Sequence, residues 1–128
     1  MNHDVLITEL RTLREQVSGV TDALIAAVDG LTVVADVADT LDPDNVSALA
    51  ATGLGLARRT TSVIGHGTLR QFVVQSSGGI LATYAIGDVA LLVVLGDEGL
   101  DMARLHQQVL PTLERLGSLL NAPQVVAS

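Results

Sequence analysis

The clearest pattern in the chain is a pair of apolar runs, residues 23–28 and 31–37, on either side of Asp29-Gly30. An Asp-Gly pair between β-prone runs indicates a hairpin, because a two-residue type I′ turn needs positive φ at both central residues. We therefore predict that Asp29 and Gly30 form a structural turn of that type. The runs are apolar at nearly every position, so both strands need cover on both faces of their sheet.

The rest of the chain continues the alternation of helical and strand patterns. The expected order is helix 4–17, strands 23–28 and 31–37, helix 46–61, strands 69–76, 80–86 and 89–95, and helix 100–120. Asp44 or Asn45 is expected to cap the second helix, and Pro111 to bend the third or break it locally. The prediction is one α/β (α+β) domain over 1–121, α-β-β-α-β-β-β-α, with five mostly antiparallel strands, helices on both faces and a flexible tail at 122–128.

The second helix carries unusually small residues on the side predicted to face outward. At 100° per residue, the expected sheet-facing stripe is Val46, Leu49, Ala50, Gly53, Leu56 and Ala57. The opposite side holds Ala48, Ala51, Thr52 and Gly55, flanked by Arg58 and Arg59. Small residues at such spacing let another helix approach closely, although an alanine-rich surface without a partner is an alternative. We favour a partner helix.

The strand at 69–76 is the most polar of the five and is predicted to lie at a sheet edge, where it can pair with another chain. Together with the small-faced helix it predicts a homodimer in which sheets join edge to edge and second helices pack. The predicted interface residues are Ala48, Ala51, Thr52, Gly55, Arg59, Arg70, Phe72 and Val74.

Composition excludes several function classes. The chain is 48% hydrophobic but has one Phe, one Tyr and no Trp, which predicts an aliphatic core with few platforms for stacking bases. Its net charge is −7 and all its cations are arginines, which argues against nucleic-acid binding. It has no Cys, and its longest strongly apolar run, 89–95, is too short to span a membrane. We expect a cytoplasmic protein without membrane insertion.

No catalytic or metal-binding constellation is recognisable in the sequence. The three histidines, His3, His66 and His106, fall in different elements without ligand spacing. The acidic residues Asp97, Glu98 and Asp101 fit the start of a helix better than a metal site. A phosphate loop would require a lysine that the chain lacks. The expectation is no catalytic residue, no metal and no cofactor.

Several motifs resemble those of the roadblock/dynein light chain domain family. The opening signature is Val17-x-Gly19-Val20-x-x-Ala23 followed by Val28-Asp29-Gly30-Leu31. Ala50-Ala51, Gly79-x-Leu81 and the apolar fifth strand also fall where that family has them. The resemblance covers about residues 4–120.

The resemblance implies a profilin-like sandwich with sheet order 2-1-5-4-3, the second helix on one face and the terminal helices on the other. It also implies dimerisation through the third strand and second helix. Bacterial members typically act with a small Ras-like GTPase, as activating protein or scaffold, often beside a sensor kinase. The family has no universal catalytic residue, so none is assigned.

The resulting hypothesis is a homodimeric, non-enzymatic regulator of a small Ras-like GTPase in bacterial signalling or polarity, with sensor kinase-associated proteins as further partners. Arg58, Arg59 and Arg70 are the conceivable arginine fingers, and we expect none of them to act as one. One alternative is a structural scaffold without effect on GTP turnover. Another is a small-molecule sensor, which would need convergent polar groups that the strands supply sparsely.

Overall fold

A computed structural model describes residues 3–127 of the chain, and the side chains of residues 3–120. Three helices and five strands follow one another in the predicted order. They are α1 (His3–Gln16), β1 (Val20–Ala27), β2 (Thr32–Asp36), α2 (Pro43–Val63), β3 (Gln71–Ser76), β4 (Gly79–Ile86), β5 (Ala90–Asp97) and α3 (Met102–Ala127). The predicted tail at 122–128 lies outside the residues with described side chains and stays a prediction.

The five strands form one antiparallel sheet in the order β2-β1-β5-β4-β3, which confirms the predicted strand order. Helix α2 crosses one face of the sheet and contacts all five strands. Helices α1 and α3 pack against each other and cover the opposite face. The fold is therefore the mixed α and β sandwich expected from the sequence, with helices on both sides.

The core consists of two apolar layers, one on each side of the sheet. Alternate residues of the central strand β5 enter different layers: Leu92 and Val94 face α1 and α3, whereas Leu91 and Val93 face α2. All four side chains are fully buried. Burial on both faces explains why residues 90–95 of β5 are all apolar instead of alternating with polar residues.

The first hairpin forms as predicted, but its turn is not type I′. Only Gly30 has a positive φ, 93°, and no residue other than glycine has one in the described part of the chain. The amide N–H of Gly30 donates to the carbonyl of Ala27, and that of Leu31 to the carboxylate of Asp29. This pattern fits a three-residue loop in which a type I turn is followed by a left-handed glycine. The Asp29 side chain holds that turn without needing positive φ itself.

The predicted N-cap of α2 is corrected, and of the two outcomes predicted at Pro111 the local break is not observed. Helix α2 begins three residues earlier than expected, because Asp42, not Asp44 or Asn45, is the N-cap: its carboxylate accepts from both of their backbone N–H groups. Pro43 then occupies the first turn, where a missing N–H is harmless. Helix α3 also runs through Pro111 without a break. Gln107, whose carbonyl loses its helical partner there, is exposed, so water can satisfy it.

Candidate functional site

The buried side of α2 consists mainly of small residues that let the helix lie close to the sheet. Its buried members are Ser47, Ala50 and Leu54. The Ser47 hydroxyl is 2.7 Å from the hydroxyl of Thr32 on β2, so this polar group is satisfied beneath the helix. Close packing against the strands therefore selects small side chains on the inner face.

This arrangement leaves large apolar side chains on the outer face of α2. Leu49 and Leu56, predicted to face the sheet, are 65% and 69% exposed, and that prediction is wrong. Val63, another seven residues along, is 70% exposed. Residues seven apart lie on nearly the same side of a helix, so these three form one stripe. We call it the α2 stripe.

The predicted interface residues of α2 lie beside this stripe. Ala48, Thr52, Gly55 and Arg59 are exposed, as the interface hypothesis requires. No atom outside the helix lies within 4 Å of a Cβ built at Gly55, so the surface there is open. Ala51 is half-buried and packs instead against the apolar layer between α2 and the sheet. The exposed surface thus combines a large apolar stripe with small neighbours.

The edge strand β3 adjoins the same face. It pairs with β4 on one side and is the last strand of the sheet on the other. Arg70 just before it and Val74 within it are exposed. Phe72 is half-buried under α2, where a Cβ at Gly53 would lie 2.6 Å from its Cζ atom. Phe72 therefore contributes to the packing of α2 against β3 within its own chain, independently of any contact with a second chain.

Sequence reasoning missed the α2 stripe as an exposed feature. The spacing of Leu49, Leu56 and Val63 was the available signal, since a strict seven-residue repeat is typical of a helix seam. The alanine-rich helix gave little to fix its rotation, and at 100° per residue both leucines fall on the stripe expected to face the sheet. The buried Ser47–Thr32 hydrogen bond shows why that choice failed.

The three arginines considered as fingers have different surroundings. Arg58 is half-buried, and its Nη2 donates to the carbonyl oxygen of Gly87 at 3.0 Å. Arg59 and Arg70 are exposed. Among the residues that the structure describes, no group of three or more His, Asp or Glu side chains is arranged to hold a metal ion.

The family of the chain follows from a comparison with protein-family models, in which residues 6–96 match the Roadblock/LC7 domain. The match spans more than half of the chain. The chain belongs to the Roadblock/LC7 domain family. This confirms the resemblance seen in the opening signature, and Roadblock/LC7 domains are generally regulatory or adaptor modules and not catalysts.

Solved structures place this Roadblock/LC7 domain among similar folds. A Roadblock/LC7 domain from Streptomyces avermitilis is 25% identical, with a TM-score of 0.83 over 88% of this chain and 95% of that one. MglB of Myxococcus xanthus is 11% identical, with a TM-score of 0.87 over 95% and 99%. An MglB structure with a tetrameric arrangement is 18% identical, with a TM-score of 0.79 over 89% and 86%. Both MglB likenesses concern the fold alone.

Across the described residues, no helix of this Roadblock/LC7 domain is both long enough and apolar enough to cross a bilayer.

Proposed function

We propose that this Roadblock/LC7 domain is a homodimeric, non-enzymatic regulator of a small Ras-like GTPase, acting as an activating protein or adaptor. The observation that carries the dimer is the α2 stripe beside an unpaired sheet edge. Isolated exposed apolar side chains are ordinary, but Leu49, Leu56 and Val63 form a continuous row on one helix. A second copy offers the same row, so a two-fold arrangement buries both.

The edge strand supports the same assembly. Pairing of two β3 edges would continue the sheet across the two-fold axis and satisfy the unpaired backbone groups of both strands. Because α2 packs over β3 through Gly53 and Phe72, the same operation would bring the two α2 stripes together. Ala48, Thr52 and Gly55 would then allow the helices to approach closely.

The dimer is tested by light scattering on the wild-type protein and two glutamate variants. Leu56→Glu places charge within the α2 stripe and should yield monomers. Leu110→Glu is the matched control, because Leu110 is 63% exposed on α3, on the other face of the sheet. It should leave the dimer intact. A monomeric wild type, or a dimer that survives Leu56→Glu, would contradict the proposed interface.

The GTPase partner is supported by the family, whose bacterial members, by the resemblance described above, act with Ras-like GTPases. Purified protein should bind at least one small Ras-like GTPase from the same genome, with preference for its GDP or its GTP-analogue state. Binding that changes single-turnover hydrolysis supports a regulator. Binding without any rate change would favour a scaffold, and failure to bind every such GTPase would contradict the proposal.

Any activation should work by positioning groups that the GTPase already has. Arg58 is engaged with Gly87, and the exposed Arg59 and Arg70 lie beside the proposed dimer interface. Each Arg→Ala variant should therefore retain most of the activation. Loss on the order of 10³-fold in hydrolysis rate from one substitution, with binding intact, would identify an arginine finger and refute this part.

A further inference from the structure

The sequence of the edge strand β3 is symmetric about Val73. The segment Gln71-Phe72-Val73-Val74-Gln75 has a side-chain amide at each end and apolar residues between them. When two copies of a strand pair antiparallel across a two-fold axis, each strand meets its own sequence in reverse. A segment that reads alike in both directions therefore matches a second copy of itself.

The backbone groups on the free edge of β3 belong to alternate residues. The amide N–H of Ala85 on β4 donates to the carbonyl oxygen of Arg70, just before β3. In an antiparallel pair, residues that bond to one neighbour alternate with residues whose N–H and C=O groups point away from it. The even-numbered residues of β3 therefore bond to β4. The residues whose N–H and C=O groups point outward are Gln71, Val73 and Gln75.

The position of α2 determines the direction of the two-fold axis. In the proposed dimer the two α2 stripes meet, so both α2 helices lie on the same face of the joined sheet. An axis along the strands would make the two β3 strands parallel and put the helices on opposite faces. An axis perpendicular to the sheet makes the strands antiparallel and keeps the helices on one face. The two β3 strands must therefore be antiparallel.

The register is restricted further, because residues opposite each other in antiparallel strands lie on the same face of the sheet. Even-numbered residues must then face even-numbered ones, which leaves registers centred on Phe72, Val73 or Val74. With Val73 at the centre, Val73 faces itself and Gln71 faces Gln75, so the outward N–H and C=O groups of all three pair. In either of the other two registers, one of these residues faces a position beyond the ends of β3.

The side chains favour the same register. On the face covered by α2, Phe72 would lie opposite Val74 of the second copy, and aromatic and β-branched residues form stabilising cross-strand pairs. Val74 is 50% exposed in the single chain, so it has apolar surface left to bury. On the other face, Gln71 and Gln75 carry amides that can donate to and accept from each other in either orientation. In the two other registers Val73 would face a glutamine instead.

Contacts within the chain fix the beginning of β3. Nε2 of Gln71 lies 3.2 Å from Nε2 of His106 on α3, and Nδ1 of the same ring lies 2.7 Å from the hydroxyl of Tyr84 on β4. This polar cluster joins α3 to the two outermost strands at this end of the sheet. An edge that is already ordered loses less conformational entropy when it pairs.

The opposite edge of the sheet, β2, is less suited to pairing. Its register with β1 shifts between Ile25 and Ala26, which places Val33 in a bulge. At its end, the Asp36 carboxylate is bound by Arg14 at 2.7 Å. Bulges and charged side chains are devices that keep sheet edges from joining, whereas β3 pairs with β4 without a register shift. Pairing of β3 with β3 therefore closes a dimer, and open chains of β3–β2 contacts are disfavoured.

We propose that two copies of this chain join their β3 strands in a single register, with Val73 on the two-fold axis. Phe72 of each copy lies opposite Val74 of the other, and Gln71 lies opposite Gln75. The inference rests on the proposed dimer and adds the register that makes the strand specific for its own sequence. A strand with a different order of amide and apolar residues would lose this match.

The first test is an isotope-filtered NOE experiment on wild-type dimers mixed from labelled and unlabelled copies. Phe72 is the only phenylalanine of the chain, so its ring signals are unambiguous. Contacts between copies should join the Phe72 ring to the Val74 methyl groups, and the Val73 methyl groups to each other. Stronger contacts of Phe72 with Phe72, or of Val74 with Val74, would centre the register elsewhere and overturn the proposal.

Light scattering on the same samples separates this inference from the proposed function. A monomeric wild type would contradict the dimer itself, and the register with it. A dimer whose copies show no contact between their β3 strands would overturn the register alone, because the α2 stripe remains available to join the copies.

The second test uses proline, which removes one backbone N–H group. Val73→Pro removes an N–H that points outward, so the single chain should keep its fold. The dimer loses the hydrogen bonds on its axis, and its dissociation constant should rise more than about tenfold. Val74→Pro is the matched control, because it removes an N–H that bonds to β4 within the chain and should lower the Tm.

Both Tm values are compared in the Leu56→Glu background, where dimerisation does not contribute to stability. Val73→Pro should unfold near the temperature of its parent, and Val74→Pro clearly below it. An equal loss of Tm in the two variants would show that the N–H of Val73 does not point outward. That result, or wild-type dimer affinity in Val73→Pro, would overturn the proposal.

Discussion

Gly79, the first residue of β4 and part of the roadblock-like signature, should be intolerant of any side chain. Its φ is 158° and it pairs with the end of β5. A Cβ at this position would overlap the carbonyl oxygen of Gly96 and lie 3.5 Å from the Cα atom of Asp97. The obstacle is backbone of the most buried strand, so it cannot rotate away as a side chain could.

The expected size of the effect follows from that geometry. Forcing an extra methyl group into a packed region costs about 1–3 kcal/mol, and displacing a central strand belongs at the upper end. For a domain of this length, a loss of 2–3 kcal/mol should lower the Tm by roughly 6–15 °C. The adjacent Gly78 provides a matched control, since its Cβ would meet nothing within 4 Å and its φ is not positive.

The assay is thermal unfolding followed by circular dichroism for wild type, Gly79→Ala and Gly78→Ala. Gly78→Ala should stay within about 0.5 kcal/mol of wild type. If both variants unfold at the same temperature, the close approach of β4 to Gly96 does not require a glycine at position 79, and the reasoning is refuted.

Three smaller predictions concern stability. Tyr84 is the only tyrosine, and the folded chain keeps its proton when the unfolded chain releases it near pH 10, so stability should fall above that pH by up to about 1.4 kcal/mol per unit. The free energy of unfolding of Tyr84→Phe, measured with denaturant, should not show this fall above pH 10. An identical dependence of that free energy on pH in wild type and variant would contradict the prediction. Gly30→Val should destabilise by about 1–3 kcal/mol in the same assay, because φ is 93° there, and an unchanged midpoint would disprove the turn. Asp42→Ala should cost about 1 kcal/mol and Asn45→Ala much less, and the reverse order would reject Asp42 as the cap.

The fold was largely predictable because its central strands, β1 and β5, are buried on both faces. Continuous apolar runs such as residues 89–95 have few other roles in a chain of this size, and the Asp29-Gly30 pair located the first hairpin. The type of turn was not predictable from those two residues alone. An aspartate side chain can stabilise more than one turn, and only the backbone shows that Gly30 alone is left-handed.

The candidate site was harder to predict. The edge position of β3 followed from its polar residues, but the rotation of α2 did not follow from size and hydrophobicity. Ser47 can be buried because its hydroxyl forms a hydrogen bond with the hydroxyl of Thr32 on β2. Such a pair between two elements has no signature in a single sequence. The Tyr84–His106 contact joins residues 22 positions apart on different elements and was equally hidden. The sparse polar residues of the strands had argued against such a cluster.

The position of β3 at the end of the sheet has a consequence for hydrogen exchange. Amides of β5 lie between two neighbouring strands and should exchange only through global unfolding. In contrast, β3 pairs with one strand only, and its residues 73–76 are exposed. Dilution of a dimer joined at this edge would release β3 first and leave β5 unchanged. The exchange rate of β3 amides would then vary with protein concentration, so that one strand reports assembly while another reports folding.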